Sequence, residues 1–297
     1  APEPAGTHFP AMYRPWSVTS TRAPGPPIDP GTISVWLSTA FTGGLLFIRA
    51  RCGRGDPVPD VVRVSRKLTW REAAKDVDAL RPMLLDQFRH EDFRGRRVLD
   101  VGTGEGRLAF VATSVGARVI GVDLDRVKLM HARAYAGIRD IRSAEFLWGD
   151  VEKTPYHEFS NDPIDAVISN LCMAPEIVWH ASRALRPGGK FIFCAHHRDH
   201  WKETRQGSRW AFYEDTMSDL LEENRFAVEF IGVDTTVAEF EHLREVELYL
   251  RGSTVRRWTE DGRWQELSDA FARGETHLTL SYLIVKAQRS AGTYTVE

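Results

Sequence analysis

A glycine-rich turn that directly follows a short apolar run constrains this chain more than any other feature. Residues 98–107 read VLDVGTGEGR. Glycines in such a turn allow positive φ angles and let the backbone approach a ligand closely, and the N-terminus of a following helix favours a negative ligand group. The turn therefore predicts a strand–turn–helix unit with a nucleotide-like ligand at the turn.

The spacing of the glycines distinguishes this turn from the nicotinamide-binding type. A nicotinamide fingerprint spaces its glycines GxGxxG, whereas here the third glycine arrives one residue early and Asp100 precedes the first. The carboxylate of Asp100 can accept a hydrogen bond from an ammonium group. The whole run is therefore more specific than a bare GxG pair.

From residue 97 onward, short β-branched or aromatic runs alternate with amphipathic helices. This alternation is typical of a parallel sheet that helices cover on both faces. The predicted strands are residues 98–101, 118–122, 145–148, 166–169, 191–195, 227–233 and 278–285. The pattern predicts an α/β fold.

The predicted helices begin and end at suitable residues. Thr69 and Glu72 have capping-box spacing, so a helix starts there, and Pro82 splits the apolar face that follows into two helices. Asp125 caps a helix that Gly137 closes.

Two segments fall outside the alternation. Residues 1–60 carry most of the prolines and no sustained period, which predicts a disordered or non-native leader, with residues 61–297 forming the folded domain. Residues from about 235 to 276 have helical spacing and predict a helical insertion before the last strand, either an acceptor cover or a plain packing elaboration. The apolar stretch 33–48 is shorter than a membrane-spanning helix requires, so no membrane role is expected.

The glycine-rich run resembles the first motif of the class I S-adenosylmethionine (SAM)-dependent methyltransferases. That motif, (D/E)xGxGxG, is matched in full by Asp100, Gly102, Gly104 and Gly106. Further motifs of the family follow in order at residues 119–123, 147–151, 165–171 and 184–190. The resemblance implies a doubly wound, mostly parallel seven-stranded sheet with an antiparallel last strand, and S-adenosyl-L-methionine as the cofactor.

The resemblance also implies roles for single residues. The glycine-rich loop would hold the amino-acid part of SAM, Asp123 would bond the ribose hydroxyls, and Asp150 would accept from the adenine amine. Taken alone, Asp150 is equally typical of a turn or a helix cap. The cofactor-binding residues implied are Asp100, Gly102, Thr103, Gly104, Gly106, Asp123, Leu124, Asp150, Val151, Asn170 and Leu171.

Candidate catalytic residues follow the fourth and fifth predicted strands. Asn170 and Leu171 should lie near the transferred methyl group, because ligands of open α/β sheets gather where strands end. Either His196 or His197 is a candidate general base, although histidines in a polar loop are often solvated bystanders. No metal site is predicted, because neither these histidines nor His200 has a partner acid or cysteine at a recognisable spacing.

Net charge bears on the methyl acceptor. A formal charge of −2 disfavours a nucleic acid, so a small-molecule acceptor is preferred, and the oligomeric state stays open. RNA or protein methylation is the first alternative, favoured if the basic and aromatic stretches formed one surface beside the cleft. A non-catalytic SAM-binding or aminopropyltransferase-like protein is the second. Three cysteines without a CxxC pair indicate a reducing, cytoplasmic setting.

Overall fold

The computed structural model of the protein describes residues 40–42, 45–50, 59–76, 79–207 and 209–291. The strands of this part are β1 (Ala40–Thr42), β2 (Leu45–Ala50), β3 (Val61–Thr69), β4 (Arg97–Val101), β5 (Arg118–Asp123), β6 (Ala144–Trp148), β7 (Ile164–Asn170), β8 (Leu185–His197), β9 (Ala211–Phe212), β10 (Phe226–Glu239) and β11 (His277–Arg289). The helices are α1 (Trp70–Asp76), α2 (Pro82–Arg89), α3 (Arg107–Ser114), α4 (Arg126–Ile138), α5 (Pro175–Ala184), α6 (Glu214–Glu223), α7 (Leu243–Tyr249), α8 (Gly252–Glu260) and α9 (Arg263–Ala272). Two short 3-10 helices lie at Tyr156–Glu158 and Lys202–Thr204.

These strands form one sheet in the order β1-β2-β3-β10-β11-β8-β7-β4-β5-β6, and β9 pairs with β8. Strands β4 to β8 run parallel to one another, while β11 is antiparallel to both of its neighbours. The doubly wound, mostly parallel fold with an antiparallel last strand is therefore confirmed. The chain order reverses between β4 and β7, which is where open α/β sheets bind their ligands.

The observed strands include all seven predicted ones, and each is longer than predicted, β8 and β10 most of all. β8 begins at Leu185, because residues before the predicted start at 191 already pair with β7 and β11. β10 continues to Glu239, so the insertion's first helix begins only at Leu243.

Three further strands widen the sheet beyond β10. β3 pairs with β10 in parallel, β2 pairs with β3 antiparallel, and β1 pairs with β2. β1 and β2 lie within the segment that the sequence assigns to a leader. The domain boundary near residue 61 stays a prediction.

Apolar side chains cover both faces of the sheet. Ile168 and Cys194 belong to a cluster on one face, and their neighbours Val167 and Phe193 belong to a cluster on the other. The alternation follows from strand geometry, in which successive side chains point to opposite faces. The side chain of each residue in a central strand therefore packs in one of the two helix layers, according to its position in the strand.

The helix starts confirm the predicted N-terminal caps, whereas Gly137 does not close α4, which continues through Ile138 to a C-cap at Arg139. The Thr69 N–H donates to Glu72 Oε2 at 3.0 Å, and the Glu72 N–H donates to Thr69 Oγ1 at 3.4 Å. The second helix begins at Pro82, and Asp125 Oδ1 accepts from two backbone N–H groups in the first turn of α4, at 2.9 and 3.2 Å. These hydrogen bonds satisfy donors that a helix leaves unpaired at its N-terminus.

The insertion between β10 and β11 consists of α7, α8 and α9, as predicted. Trp258 of α8 and Leu267 of α9 are fully buried, and both belong to the cluster that contains Ile168. The insertion therefore packs on the face of the sheet that carries Ile168. No helix in the described part of the chain is long and apolar enough to cross a membrane.

We predict that Ile168→Ala lowers the free energy of unfolding by about 2–5 kcal/mol, because the truncation leaves a cavity where a fully buried side chain of a central strand was packed. Ile138→Ala makes the same change at a helix end where the side chain is 83% exposed, and it should cost under about 0.5 kcal/mol. Urea unfolding measures both values. Equal losses at the two positions would contradict the packing described.

Candidate functional site

A cavity of about 460 Å³ opens where β4, β5 and β7 end. It contains ten of the residues singled out from the sequence, namely Asp100, Gly102, Thr103, Gly104, Asp123, Leu124, Asp150, Val151, Asn170 and Leu171. It is also lined by Glu105, Arg107, Leu108, Lys128, Glu152, Cys172 and Arg251. One concave site therefore unites residues spread over more than a hundred positions of sequence.

The glycine-rich loop forms one wall of the cavity. Gly102 has φ +69°, and a Cβ atom there would overlap the Cβ and Sγ atoms of Cys172. Only glycine fits a position that combines positive φ with such a close approach. Gly106 does not line the cavity; it precedes α3 with φ +82°, and a Cβ there would meet the rings of Phe110 and Phe146 at 2.9 Å.

Asp100 is almost fully buried at the back of the cavity. Thr103 Oγ1 donates to its Oδ2 at 2.6 Å, while Oδ1 is buried and has no hydrogen-bond partner within the described residues. Burial raises the pKa of Asp100 to about 7, against the hydrogen bond from Thr103, which lowers it. A buried carboxylate oxygen without a donor is costly, so this atom is suited to a ligand's hydrogen-bond donor.

Asp123 ends β5 and binds the glycine-rich loop. Its Oδ2 accepts from the Gly104 N–H at 2.7 Å, and its Oδ1 accepts from the Asp125 N–H at 2.8 Å. A carboxylate oxygen has two acceptor positions, so each oxygen keeps one for a ligand hydroxyl. Asp123 thus fixes the loop and still presents acceptors to the cavity.

Asp150 and Leu124 line the cavity beyond β5 and β6. Asp150 Oδ1 accepts from the Glu152 N–H at 3.0 Å, and its Oδ2 lies 3.0 Å from Lys153 Nζ. Burial raises the pKa of Asp150, but these two contacts outweigh it and keep the pKa below its usual value. Leu124 is 56% exposed, and its carbonyl accepts from Trp148 Nε1 at 3.1 Å.

The end of β7 forms a sharp turn into the cavity. Leu171 has φ +61°, which is uncommon for a residue other than glycine, and its N–H donates to the Cys194 carbonyl at 2.8 Å. Ser169 Oγ stabilises the turn by donating to the Cys172 carbonyl at 2.5 Å. Burial raises the pKa of the Cys172 thiol to about 12, so this thiol stays protonated at neutral pH.

The two candidate histidines lie on opposite faces of β8, and neither lines the cavity. His197 is buried; its Nε2 lies 3.1 Å from Glu214 Oε2, and its Nδ1 accepts from the Asp199 N–H at 3.2 Å. His196 Nδ1 is buried without a hydrogen-bond partner among the described residues. Burial lowers the pKa of His196 to about 4, so the ring is neutral at physiological pH.

Several lining residues were not singled out from the sequence. Cys172 directly follows Leu171, so its position was recoverable from the β7 motif. Arg251 comes from the insertion, and no local pattern marks a residue that reaches the cavity from so far along the chain. In the described part of the chain, no three side chains of His, Cys, Asp or Glu converge as metal ligands would.

Comparison with known proteins agrees with this geometry. A family model described as a methyltransferase domain matches residues 92–225. A probable S-adenosylmethionine-dependent methyltransferase from Mycolicibacterium smegmatis is 31% identical over 185 residues, which cover 58% of this chain and 68% of that protein. The chain belongs to the S-adenosylmethionine-dependent methyltransferases.

Other relatives match shorter stretches of this methyltransferase. The ubiquinone biosynthesis O-methyltransferase of Nitrosococcus oceani is 33% identical over 126 residues, covering 40% of this chain and 52% of that protein. The ribosomal protein L11 methyltransferase of Deinococcus radiodurans is 34% identical over 105 residues, covering 34% and 38%. The chain thus spans about half, or less, of these two relatives. In fold, it resembles a candidate methyltransferase from Bacillus halodurans, at 19% identity and a TM-score of 0.54, covering 70% of this chain and 97% of that one.

The cavity fits SAM, the methyl donor of this methyltransferase. Its volume is within the range of small-molecule sites. The unpaired Asp100 oxygen suits an ammonium, and the absence of a side chain at Gly102 lets the loop pack directly against Cys172 at the cavity wall. The observed residues therefore suit a ligand with an amino-acid part and a nucleoside part.

We predict that Gly102→Ala weakens SAM binding at least about tenfold, because the new methyl group displaces the loop from Cys172. Gly95→Ala is the matched control: Gly95 has the same φ of +69°, but a Cβ atom added there would have nothing within 4 Å. Both variants share the backbone strain of an alanine at positive φ, about 1–2 kcal/mol, and Gly102→Ala should lose more stability because of its overlap with Cys172. Calorimetric titration compares the SAM affinities of the two variants. Equal affinities would contradict the role given to the close packing of Gly102 against Cys172.

Proposed function

We propose that this methyltransferase transfers a methyl group to a small molecule bound beside the end of β7. The observation that carries the proposal is that Arg251, from the insertion, lines the same cavity as Asp100 and Asn170. The insertion would thereby cover the acceptor side of the cavity, which favours a small acceptor. The net charge of −2 also disfavours an RNA acceptor.

The cofactor roles proposed for single residues follow from the groups that each presents. Asp100 would accept from the ammonium of SAM, and Asp123 from the ribose hydroxyls, through the acceptor positions that the backbone amides leave open. Asp150, whose depressed pKa keeps it ionised, would accept from the adenine amine, with Leu124 packing against the ring. The loop glycines would bring backbone N–H groups close to the bound ligand.

Catalysis would consist mainly of alignment. SAM supplies an electrophilic methyl group, and the protein gains rate by holding an acceptor in line with it. Asn170 and Leu171 are proposed to border the methyl group, because they end β7 and line the cavity. The strained φ of Leu171 is consistent with a functional position.

Of the two histidines, His196 is the better candidate for a general base. His197 has both ring nitrogens engaged, by Glu214 and by the Asp199 amide. His196 lies on the same sheet face as Asn170, is neutral, and keeps Nδ1 unpaired within the described chain. A neutral imidazole with a free nitrogen can take a proton from an acceptor hydroxyl.

Methylation of a protein is the alternative, and one relative, by its name, methylates a ribosomal protein. That acceptor would need an open surface beside Asn170, whereas Arg251 brings the insertion to this edge. A methylation screen with small molecules and with ribosomal protein distinguishes the two.

We predict that calorimetric titration gives micromolar SAM and S-adenosylhomocysteine binding to the wild type, and that Asp123→Ala loses it. The variant removes the ribose acceptors and frees the Gly104 and Asp125 amides together. Asp219→Ala, at an exposed position of α6, should bind like the wild type. A folded wild type that binds neither ligand would refute the proposed cofactor site.

We also predict that SAM affinity increases between pH 5.5 and 7.5. The pKa of Asp100 is raised to about 7, so at pH 5.5 the group is mostly protonated and cannot pair with an ammonium as a carboxylate. Below that pKa the affinity should fall up to about tenfold per pH unit. Asp100→Asn should bind more weakly and show a flat profile. An unchanged slope in that variant would exclude Asp100 as the titrating group.

A further inference from the structure

Helix α4 exposes apolar side chains on the face that points away from the sheet. Its buried side chains are Leu129, Ala132 and Ala136. On the opposite side, Val127 and Met130 are 58% and 57% exposed, and Ile138 is 83% exposed. At 3.6 residues per turn these three fall within one arc of the helix, and we call them the apolar stripe. An exposed row of large apolar side chains indicates a contact surface.

Two further exposed apolar side chains lie at the N-terminal end of α4. Leu124 and Trp148 are 56% and 52% exposed, and Trp148 Nε1 donates to the Leu124 carbonyl at 3.1 Å. With Tyr135 and the apolar stripe, six of the eleven large apolar side chains exposed in the described part of the chain lie within residues 124–148. This concentration distinguishes the stripe from scattered apolar residues, which are ordinary on a protein surface.

Cations flank the apolar stripe on both sides, and α4 contains no aspartate or glutamate. Arg126 and Arg133, seven residues apart, lie along one flank. Lys128 and Arg139 lie along the other. In the described part of the chain, only Lys128 of these four has an ion-pair partner, Asp125 at 3.9 Å. The helix thus carries four positive charges, although the net charge of the whole chain is −2.

The neighbouring acids do not cancel these charges. Residues 125–142 contain five arginines and lysines against two aspartates, a net charge of +3. Arg126 stacks over the Trp148 ring at 4.3 Å, and Arg133 donates to the Phe146 carbonyl at 2.6 Å. A ring and a carbonyl leave the guanidinium charged, so both arginines keep their positive charge beside the stripe.

The combination of apolar and positive groups decides what this surface can bind. A second copy of the chain, related by a twofold axis, would bring the same cations of both copies together, which disfavours a dimer through this face. A nucleic acid would meet the cations but leave the apolar stripe without a partner. An anionic lipid surface suits both parts, because apolar side chains enter the boundary of the acyl chains while flanking cations meet the headgroups.

We propose that the outer face of α4, meaning the apolar stripe and its four flanking cations, docks reversibly on an anionic membrane surface with the helix in the membrane plane. Docking of this kind requires no spanning helix, whereas the expectation of no membrane role considered a spanning segment. Leu124 and Lys128 also line the cavity, so docking would hold one rim of the cavity at the lipid surface. The proposal does not depend on which acceptor is methylated.

The test measures co-sedimentation of the full chain with vesicles at physiological ionic strength. The probes are vesicles of phosphatidylcholine alone and vesicles that also contain about 30% phosphatidylserine. We expect at least about tenfold higher affinity for the anionic vesicles, because each cation near such a surface strengthens binding about fivefold. Raising the salt concentration to about 0.5 M should weaken that binding about fivefold or more.

Two double variants separate the contribution of the stripe from that of its cations. Arg126→Gln combined with Arg139→Gln should weaken binding to anionic vesicles about twentyfold and reduce its salt dependence. Met130→Gln combined with Ile138→Gln should weaken binding about tenfold while the salt dependence stays, because only the apolar contact is lost.

The matched controls make the same changes elsewhere on the surface. Arg256→Gln combined with Arg257→Gln removes two exposed cations of α8, and Leu248→Gln replaces a side chain of α7 that is 69% exposed. Both controls should bind anionic vesicles as the wild type does. Urea unfolding shows whether each variant is folded.

Three vesicle results would overturn the inference: no binding to anionic vesicles, equal binding to both kinds of vesicle, or equal losses in the α4 variants and the controls. A dimer that Met130→Gln combined with Ile138→Gln dissociates would also overturn it, because the stripe would then be an interface between two copies. Sedimentation velocity without vesicles detects such a dimer. None of these results bears on methyl transfer, which the SAM titrations test separately.

Discussion

The cofactor cleft depends on a set of hydrogen bonds that fasten the glycine-rich loop to the end of β5. The N–H groups of Gly102 and Thr103 donate to the Val122 carbonyl at 2.9 and 3.0 Å, and the Gly104 N–H donates to Asp123 at 2.7 Å. Three successive amides outside any helix or strand thus have acceptors, as buried backbone requires. This attachment holds the loop open in front of α3 and sets the position of Asp123 at the same time.

The neighbouring histidines of β8 lie in different surroundings because successive side chains of a strand point to opposite faces of the sheet. His197 faces the layer that contains α6, where Glu214 links its ring to Arg63 of β3. Burial raises the pKa of Glu214, but the hydrogen bond from His197 and the nearby guanidinium outweigh it, so the carboxylate stays ionised. That network ties the added strand β3 to the central sheet. His196, one residue earlier, faces the opposite layer of the sheet.

Sequence patterns predicted the central sheet and most of the cavity, because both depend on local rules. Strand periodicity, helix caps and the glycine-rich turn each act over a few residues, and the motif acids at 100, 123 and 150 all line the cavity. The pairing of β3 with β10 was not predicted, since a strand partner is chosen by distant residues. Arg251 and the close approach of Cys172 to Gly102 were missed for the same reason. Strand alternation could have predicted that His196 and His197 lie on opposite faces of β8, because neighbouring residues of a strand always do.

The insertion connects β10 to β11, which pair along their whole length as a long antiparallel hairpin. β10 and β11 pair from Phe226 with Arg289 to Glu239 with His277. The insertion therefore leaves the sheet and returns to it at one residue pair, Glu239 and His277. The register of the hairpin is fixed by this pairing and by the apolar faces of both strands, whatever helices the loop contains. The loop can therefore change in length and content while the cofactor half keeps its geometry. Under the proposed function, this arrangement allows the helices on the acceptor side to differ without disturbing the cofactor site.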